Sequence, residues 1–222
     1  MRKAAELQPR KALAILKEGN YSGMARSSTF RGYIRGMGPE ADWPQVIEDV
    51  KGVIGRADIK LKDSDSWVAQ TVAIEWAKQD LENSLEWYIR DPERDLSNPK
   101  DTTQISSVLG SLPLDEKYLA VNWIDSQRDQ PDWNDQLVMS YGRVLASRTM
   151  PLDGDVERLA GFISSEDDRF EFVSKFIHPW KTGVEPSIRY PREALNKLVV
   201  GANLSVERTA GLQKVIASSK SE

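Results

Sequence analysis

The chain has one histidine, His178, and no cysteine, and these two facts limit its chemistry more than any motif does. A Ser-His-Asp relay would have to run through His178, and no Gly-x-Ser-x-Gly turn is present to expose a nucleophile. One imidazole is too few for a multi-histidine metal centre. Without cysteine there is no thiolate zinc site, iron–sulfur cluster, disulfide or cysteine nucleophile. His178 ends a helical stripe, where a cation complements the helix C-terminus.

The carboxylates are more numerous but no more specific. Asp63-Ser64-Asp65-Ser66-Trp67 resembles the start of a calcium loop. The sixth position is Val68 where that loop needs glycine, and the twelfth is Ile74 where it needs glutamate, so Asp65 or Ser66 reads as a helix N-cap instead. Glu166-Asp167-Asp168 and the pair Asp153 and Asp155 sit at helix starts, where negative charge meets the positive end of the dipole. A glycosidase-type pair of carboxylates is defined by separation in space and is not legible from spacing. Gly32, Gly36 and Gly38 have the wrong spacing for a phosphate loop and follow a helix rather than a strand. They read as close helix contact and a helix end. No catalytic residue, metal or cofactor is assigned, and the reading leans away from an enzyme.

The elements that would position a site are helices. The 222 residues are 40% hydrophobic and 29% charged, as in a folded domain, with a formal net charge of −4. Neither half is visibly basic, so a nucleic-acid partner is not favoured. No leader-like apolar run opens the chain and no window reaches the ~20 apolar residues of a membrane span; a cytoplasmic location is the default, with no membrane partner. Apolar residues recur at helical spacing, as in Trp43, Val46, Ile47, Val50, Val53 and Ile54. With proline and glycine as punctuation, the pattern predicts about twelve helices, near 9–18, 21–36, 43–54, 66–79, 81–90, 102–111, 115–127, 132–147, 154–164, 166–177, 191–200 and 205–218. No segment alternates as a strand should. The weakest links are residues 57–62, read as a short strand or a loop, and 180–190, an irregular connection. The last two helices have a turn slightly long for a helix–turn–helix and read as a terminal capping pair.

A five-residue pattern, small–apolar–x–Trp–apolar, recurs. It appears as Ser84-Leu85-Glu86-Trp87-Tyr88 and again 36 residues later as Ala120-Val121-Asn122-Trp123-Ile124. A looser copy, Ala12-Leu13-Ala14-Ile15-Leu16, lies 72 residues before the first. A period near 36 with two helices per unit resembles an α-solenoid of the tetratricopeptide or HEAT type. Trp76-Ala77-Lys78-Gln79-Asp80, followed by Leu85 and Trp87, is similar to the Trp-containing helical repeats of uncharacterised bacterial proteins. The resemblance is strong over about 70–128 and loose up to about Ile177; the full tetratricopeptide signature is carried by no unit.

The fold class expected is therefore all-α, with antiparallel helix pairs stacked as an α-solenoid or curved helical array. Residues 1–180 would form the repeat domain and 181–222 a terminal pair packed on it as a cap. Small residues such as Ser84 and Ala120 would let helices approach, and indoles at Trp87 and Trp123 would fill the layers between them. The function expected is a non-catalytic protein-interaction scaffold that binds a protein or peptide on its concave face. The alternative is an all-α enzyme or carbohydrate-binding module with a carboxylate and Trp groove. Candidate contact residues are Trp180 in the irregular link and His178 just before it, and Arg31 and Arg35, which share one helix face.

Overall fold

A computed structural model of the chain describes residues 2–18, 23–38, 40–54, 66–89, 98–130, 133–147, 152–177, 187–188 and 190–221. Among these residues there are thirteen α-helices: α1 Arg2–Leu7, α2 Pro9–Lys17, α3 Gly23–Gly36, α4 Trp43–Ile54, α5 Ser66–Ala77, α6 Leu81–Ile89, α7 Pro99–Leu109, α8 Lys117–Gln127, α9 Gln136–Ser147, α10 Gly154–Phe162, α11 Glu166–Ile177, α12 Arg192–Gly201 and α13 Val206–Ser218. One 3-10 turn, Leu114–Glu116, leads into α8. The chain is all-α, and no helix among the described residues is long and apolar enough to cross a membrane. Among the described residues, strand structure is confined to a parallel pair, β1 Ser187–Ile188 and β2 Lys220–Ser221, in the register Ser187 with Lys220 and Ile188 with Ser221. Two-residue strands have no alternation to read, which is why the sequence pattern does not announce them.

Each of the twelve expected helices is present, and α1 is an addition. Six residues cannot sustain a helix alone, because the nucleation cost outweighs so few hydrogen bonds. Packing on α3 supplies the difference. A Cβ added at Gly32 would stand 2.5 Å from the Arg2 carbonyl oxygen, and one at Gly36 would stand 2.4 Å from that of Glu6. The glycine spacing that failed as a phosphate loop is thus a contact face that lets α1 lie against the α3 backbone. Side chains cap several helix starts. Gln45 N–H donates to Asp42 Oδ1 at 3.3 Å, Lys100 N–H to Asn98 Oδ1 at 3.0 Å and Asp155 N–H to Asp153 Oδ1 at 3.1 Å.

The helices gather into two compact units, residues 1–94 and 95–222. In the first, α1 and α2 pack on α3, α2 on α4, α3 on α5 and α5 on α6. In the second, every helix meets the next but one: α7 packs on α9, α8 on α10, α9 on α11, α10 on α12 and α11 on α13. Successive helices from α9 onward touch as well. The terminal pair α12–α13 rests on α10 and α11. The expected boundary at 180/181 lies outside the described residues.

The five-residue pattern has one burial signature in its copies on α6 and α8. Ser84, Leu85 and Tyr88 are buried, Glu86 is exposed and Trp87 is half-buried; Ala120, Val121 and Ile124 are buried, Asn122 is exposed and Trp123 is half-buried. In the copy on α2, Ala12 and Leu16 are buried, with Ala14 exposed and Ile15 half-buried. Ser84 sits at a close contact, its Oγ 2.8 Å from the Ala73 carbonyl. The indoles do not fill the layers. Of the described tryptophans only Trp43 is buried, at 4% exposure, and the bulk inside comes from Tyr33, Tyr88, Tyr141, Phe30 and Phe172. The reason is geometric: when the small residue faces the neighbouring helix, the position three residues on lies toward the edge of that face, and the position four on lies beneath it.

Candidate functional site

Half-buried indoles offer flat apolar surface with a polar edge, and in the first unit they converge. Trp43 and Trp76 stack with ring centroids 6.4 Å apart and planes at 14°. Trp76 meets Trp87 at 6.0 Å and 43°, and Trp87 meets Tyr88 at 6.3 Å and 36°. Trp43 begins α4, Trp76 lies in the last turn of α5 and Trp87 lies on α6. The α5–α6 turn brings the last two together. Asp80 caps α6 by accepting from Asn83 N–H at 3.1 Å, and Ser84 Oγ donates to the Ala73 carbonyl at 2.8 Å across the pair. Gln79 in that turn fixes the ladder's other end. It accepts from Trp43 Nε1 at 2.8 Å and donates through Nε2 to the Gly38 carbonyl at 2.8 Å.

Beside the ladder lies a groove of about 400 Å³, lined by Asp42, Gln45, Glu48 and Lys51 from α4 and its cap, and by Trp76 and Trp87. Trp43 Nε1 is satisfied, whereas among the described residues no acceptor meets the indole N–H of Trp76 or Trp87. The two carboxylates are already engaged: Asp42 caps α4, and Glu48 receives Lys51 Nζ at 2.9 Å. The Glu48 side chain is 65% exposed. An acid–base pair needs a carboxyl withdrawn from water and aimed at a reacting atom. Neither residue meets that requirement, so the groove offers stacking surface and hydrogen-bond donors rather than proton transfer. Among the described residues no three His, Asp or Glu side chains converge as metal ligands.

The four candidate contact residues fall into two groups. Trp180 and His178 lie outside the described residues. Arg31 and Arg35 are on one exposed face of α3, as their spacing predicts. Both also make contacts inside the first unit. The Arg31 guanidinium lies 5.3 Å from the Trp67 ring centre, and Arg35 Nε is 3.4 Å from Glu75 Oε1. They tie α3 to α5 and do not border the groove. On the inner side of α3, the Tyr33 hydroxyl donates to Asp49 Oδ2 at 3.2 Å. Burial, and then the Asp49 charge, push its pKa well above the usual phenol range, which keeps it a neutral donor.

In the second unit the acidic cluster does more than complement a dipole. Glu166 reaches α13, accepting from Ser205 N–H at 2.9 Å, and Arg208 donates to Asp167. The hydrogen bond from Ser205 is the main cause that holds the Glu166 carboxyl below its ordinary range, with Arg208 assisting. Sequence spacing missed the indole groove because its rings come from three helices. The signal that could have found it was Trp87 itself, at a position whose counterparts, Ile15 and Trp123, also lie at a contact's edge. No protein-family model, no curated protein and no solved structure matches this chain.

Proposed function

We propose that this protein is a non-catalytic scaffold of stacked helix pairs that binds a protein or peptide segment in the groove beside Trp76 and Trp87. The observation that carries the reading is the pair of half-buried indoles, 6.0 Å apart, whose N–H groups meet no acceptor among the described residues. A peptide supplies what this surface lacks: apolar side chains for the rings and carbonyl oxygens for the two donors. The packing of helices α7–α11 of the second unit each on the next but one supports the α-solenoid part of the reading, since a helix pair that cannot bury its own face gains a core by stacking on its neighbours. The contacts Lys117–Asp153 and Asn122–Arg158 each span 36 residues, matching the period of the five-residue pattern.

A second reading is a carbohydrate-binding module, because exposed indoles also stack on sugar rings. Asp42 and Glu48 stand at the groove as that reading requires, but each already has a partner within α4.

The test is affinity capture with the full chain and with Trp87→Ala, both checked for the same thermal melt. Recovery of a discrete protein by the native chain and its loss with Trp87→Ala supports the scaffold. Equal recovery by both chains overturns it. Quenching of the tryptophan fluorescence by oligosaccharides, with no protein recovered, transfers the groove to the second reading.

A further inference from the structure

The first unit holds another concavity, built from different chemistry. Helices α1, α2 and α3 border a groove of about 420 Å³ whose lining includes Ala4, Leu7, Lys11, Ala12 and Ile15. Ala4 and Leu7 come from α1 and Lys11, Ala12 and Ile15 from α2, and the two helices meet at a break where Gln8 leaves the helical range with φ −139° and ψ 65°. There Gln8 N–H donates to the Ala4 carbonyl at 3.2 Å and Ala12 N–H donates to that of Gln8 at 3.0 Å. Leu7 stands 76% exposed, an unusual position for a leucine beside an apolar groove.

The charge around the groove is also out of keeping with the rest of the chain. Residues 1–36 hold eight bases and two acids, a formal +6 in a chain whose total is −4. Some of these cations have carboxylates: Arg2 Nε is 3.2 Å from Glu6 and Lys17 Nζ is 3.5 Å from Asp49. Lys3, Arg10 and Lys11 are exposed on α1 and α2 and meet no carboxylate among the described residues. An apolar groove bordered by helices and flanked by cations that meet no carboxylate has the complement of an amphipathic helix with an acidic polar face.

We propose that the α1–α3 groove is a docking site for an acidic amphipathic helix of a partner protein. The helix lays its apolar face along Ala4, Leu7, Ala12 and Ile15, and its carboxylates reach Lys3, Arg10 and Lys11. The alanines favour this occupant because they leave room for side chains at i, i+3, i+4 and i+7 of the incoming helix. A bilayer surface does not fill a concavity lined by alanine. This site goes beyond the indole groove and uses none of its residues.

The test is a titration of the full chain with a synthetic peptide of about sixteen residues, with leucine and alanine on one helical face and glutamate on the other. Saturable binding is expected, with a gain of peptide helicity by circular dichroism and weakening as salt is added. Leu7→Asp and Lys11→Glu change exposed side chains and leave the thermal melt in place; each is expected to weaken binding about tenfold. Trp87→Ala is expected to leave it unchanged. Equal binding of a peptide with lysine in place of every glutamate overturns the proposal. Native affinity in both groove variants does the same, as does binding of phosphatidylserine vesicles by a chain that ignores the peptide.

Discussion

Lys117 Nζ lies 2.6 Å from Asp153 Oδ2, joining the first residue of α8 to the N-cap of α10 across 36 residues of sequence. The lysine side chain is 4% exposed and the aspartate 47%, so the cation is withdrawn from water and its counterion is not. Removing the partner of a buried charge costs more than the pair itself contributes, because the remaining charge stays desolvated.

Asp153→Ala is therefore expected to destabilise the second unit by about 2 kcal/mol, combining a lost N-cap with the loss of a carboxylate facing a buried cation. Asp153→Asn keeps a cap acceptor for Asp155 N–H but not the charge, and recovers about half of the loss. Urea denaturation followed by circular dichroism separates the two. Equal midpoints for Asn and native chains would remove the charge from the account.

The helices were legible because their information is local. Helix-start carboxylates such as Asp153, the breakers and the apolar stripes each state where a helix begins or which face it buries. What joins the helices was legible only where one residue type admits a single physical use. Gly32 and Gly36 read as a contact face, and α1 is what they contact. The indoles misled because size alone suggests burial. Whether Trp87 or Tyr88 lies inward depends on a rotation of about 100° per residue about the helix axis, which a pattern tolerating both does not fix. The groove stayed hidden because Trp43, Trp76 and Trp87 belong to three helices whose packing order no local rule supplies. The cationic start was concealed by averaging: a total of −4 masks the +6 of residues 1–36.

Gly142 and Gly161 are both helical glycines, and alanine at the two positions is expected to act with opposite sign. A Cβ at Gly142, in α9, would stand 2.3 Å from Phe172 Cε2 on α11, whose ring is fully buried. Overpacking of that kind costs ~1–3 kcal/mol and outweighs the ~1 kcal/mol gained in helix propensity. At Gly161, in α10, an added Cβ meets nothing. Gly161→Ala should raise the midpoint of thermal unfolding while Gly142→Ala lowers it. A higher midpoint in both would show that the α9–α11 contact gives way easily.

Ser84 tests the small position of the repeated pattern. Its hydroxyl is fully buried and donates to the Ala73 carbonyl at 2.8 Å. Ser84→Ala removes one hydrogen bond and keeps the close approach of α5 and α6, a loss of about 1 kcal/mol. Ser84→Leu also forces the helices apart and costs a further ~1–3 kcal/mol. Because the α5–α6 turn aligns Trp76 with Trp87, the leucine variant should also shift the tryptophan emission, which the alanine variant should leave in place. Matching spectra for the two variants would separate the indole ladder from the spacing of the pair.

Glu166 gives the second unit a pH dependence of defined sign. Its carboxyl is held low chiefly by Ser205 N–H, and unfolding releases it to its ordinary value of about 4.3. A pKa depressed in the folded state means stabilisation that is complete above the unfolded value and declines as pH falls through it toward the folded one. Glu171, lowered mainly by its hydrogen bond from Lys175, acts in the same direction. Stability should therefore be level near neutrality and fall below about pH 5. Glu166→Gln keeps an oxygen for Ser205 N–H and loses the charge that favours Arg208. The variant should be less stable than the native chain at pH 7, with the gap closing as both are acidified. A gap that stays constant down to pH 3 would mean that the Glu166 charge contributes nothing to docking α13 on α11.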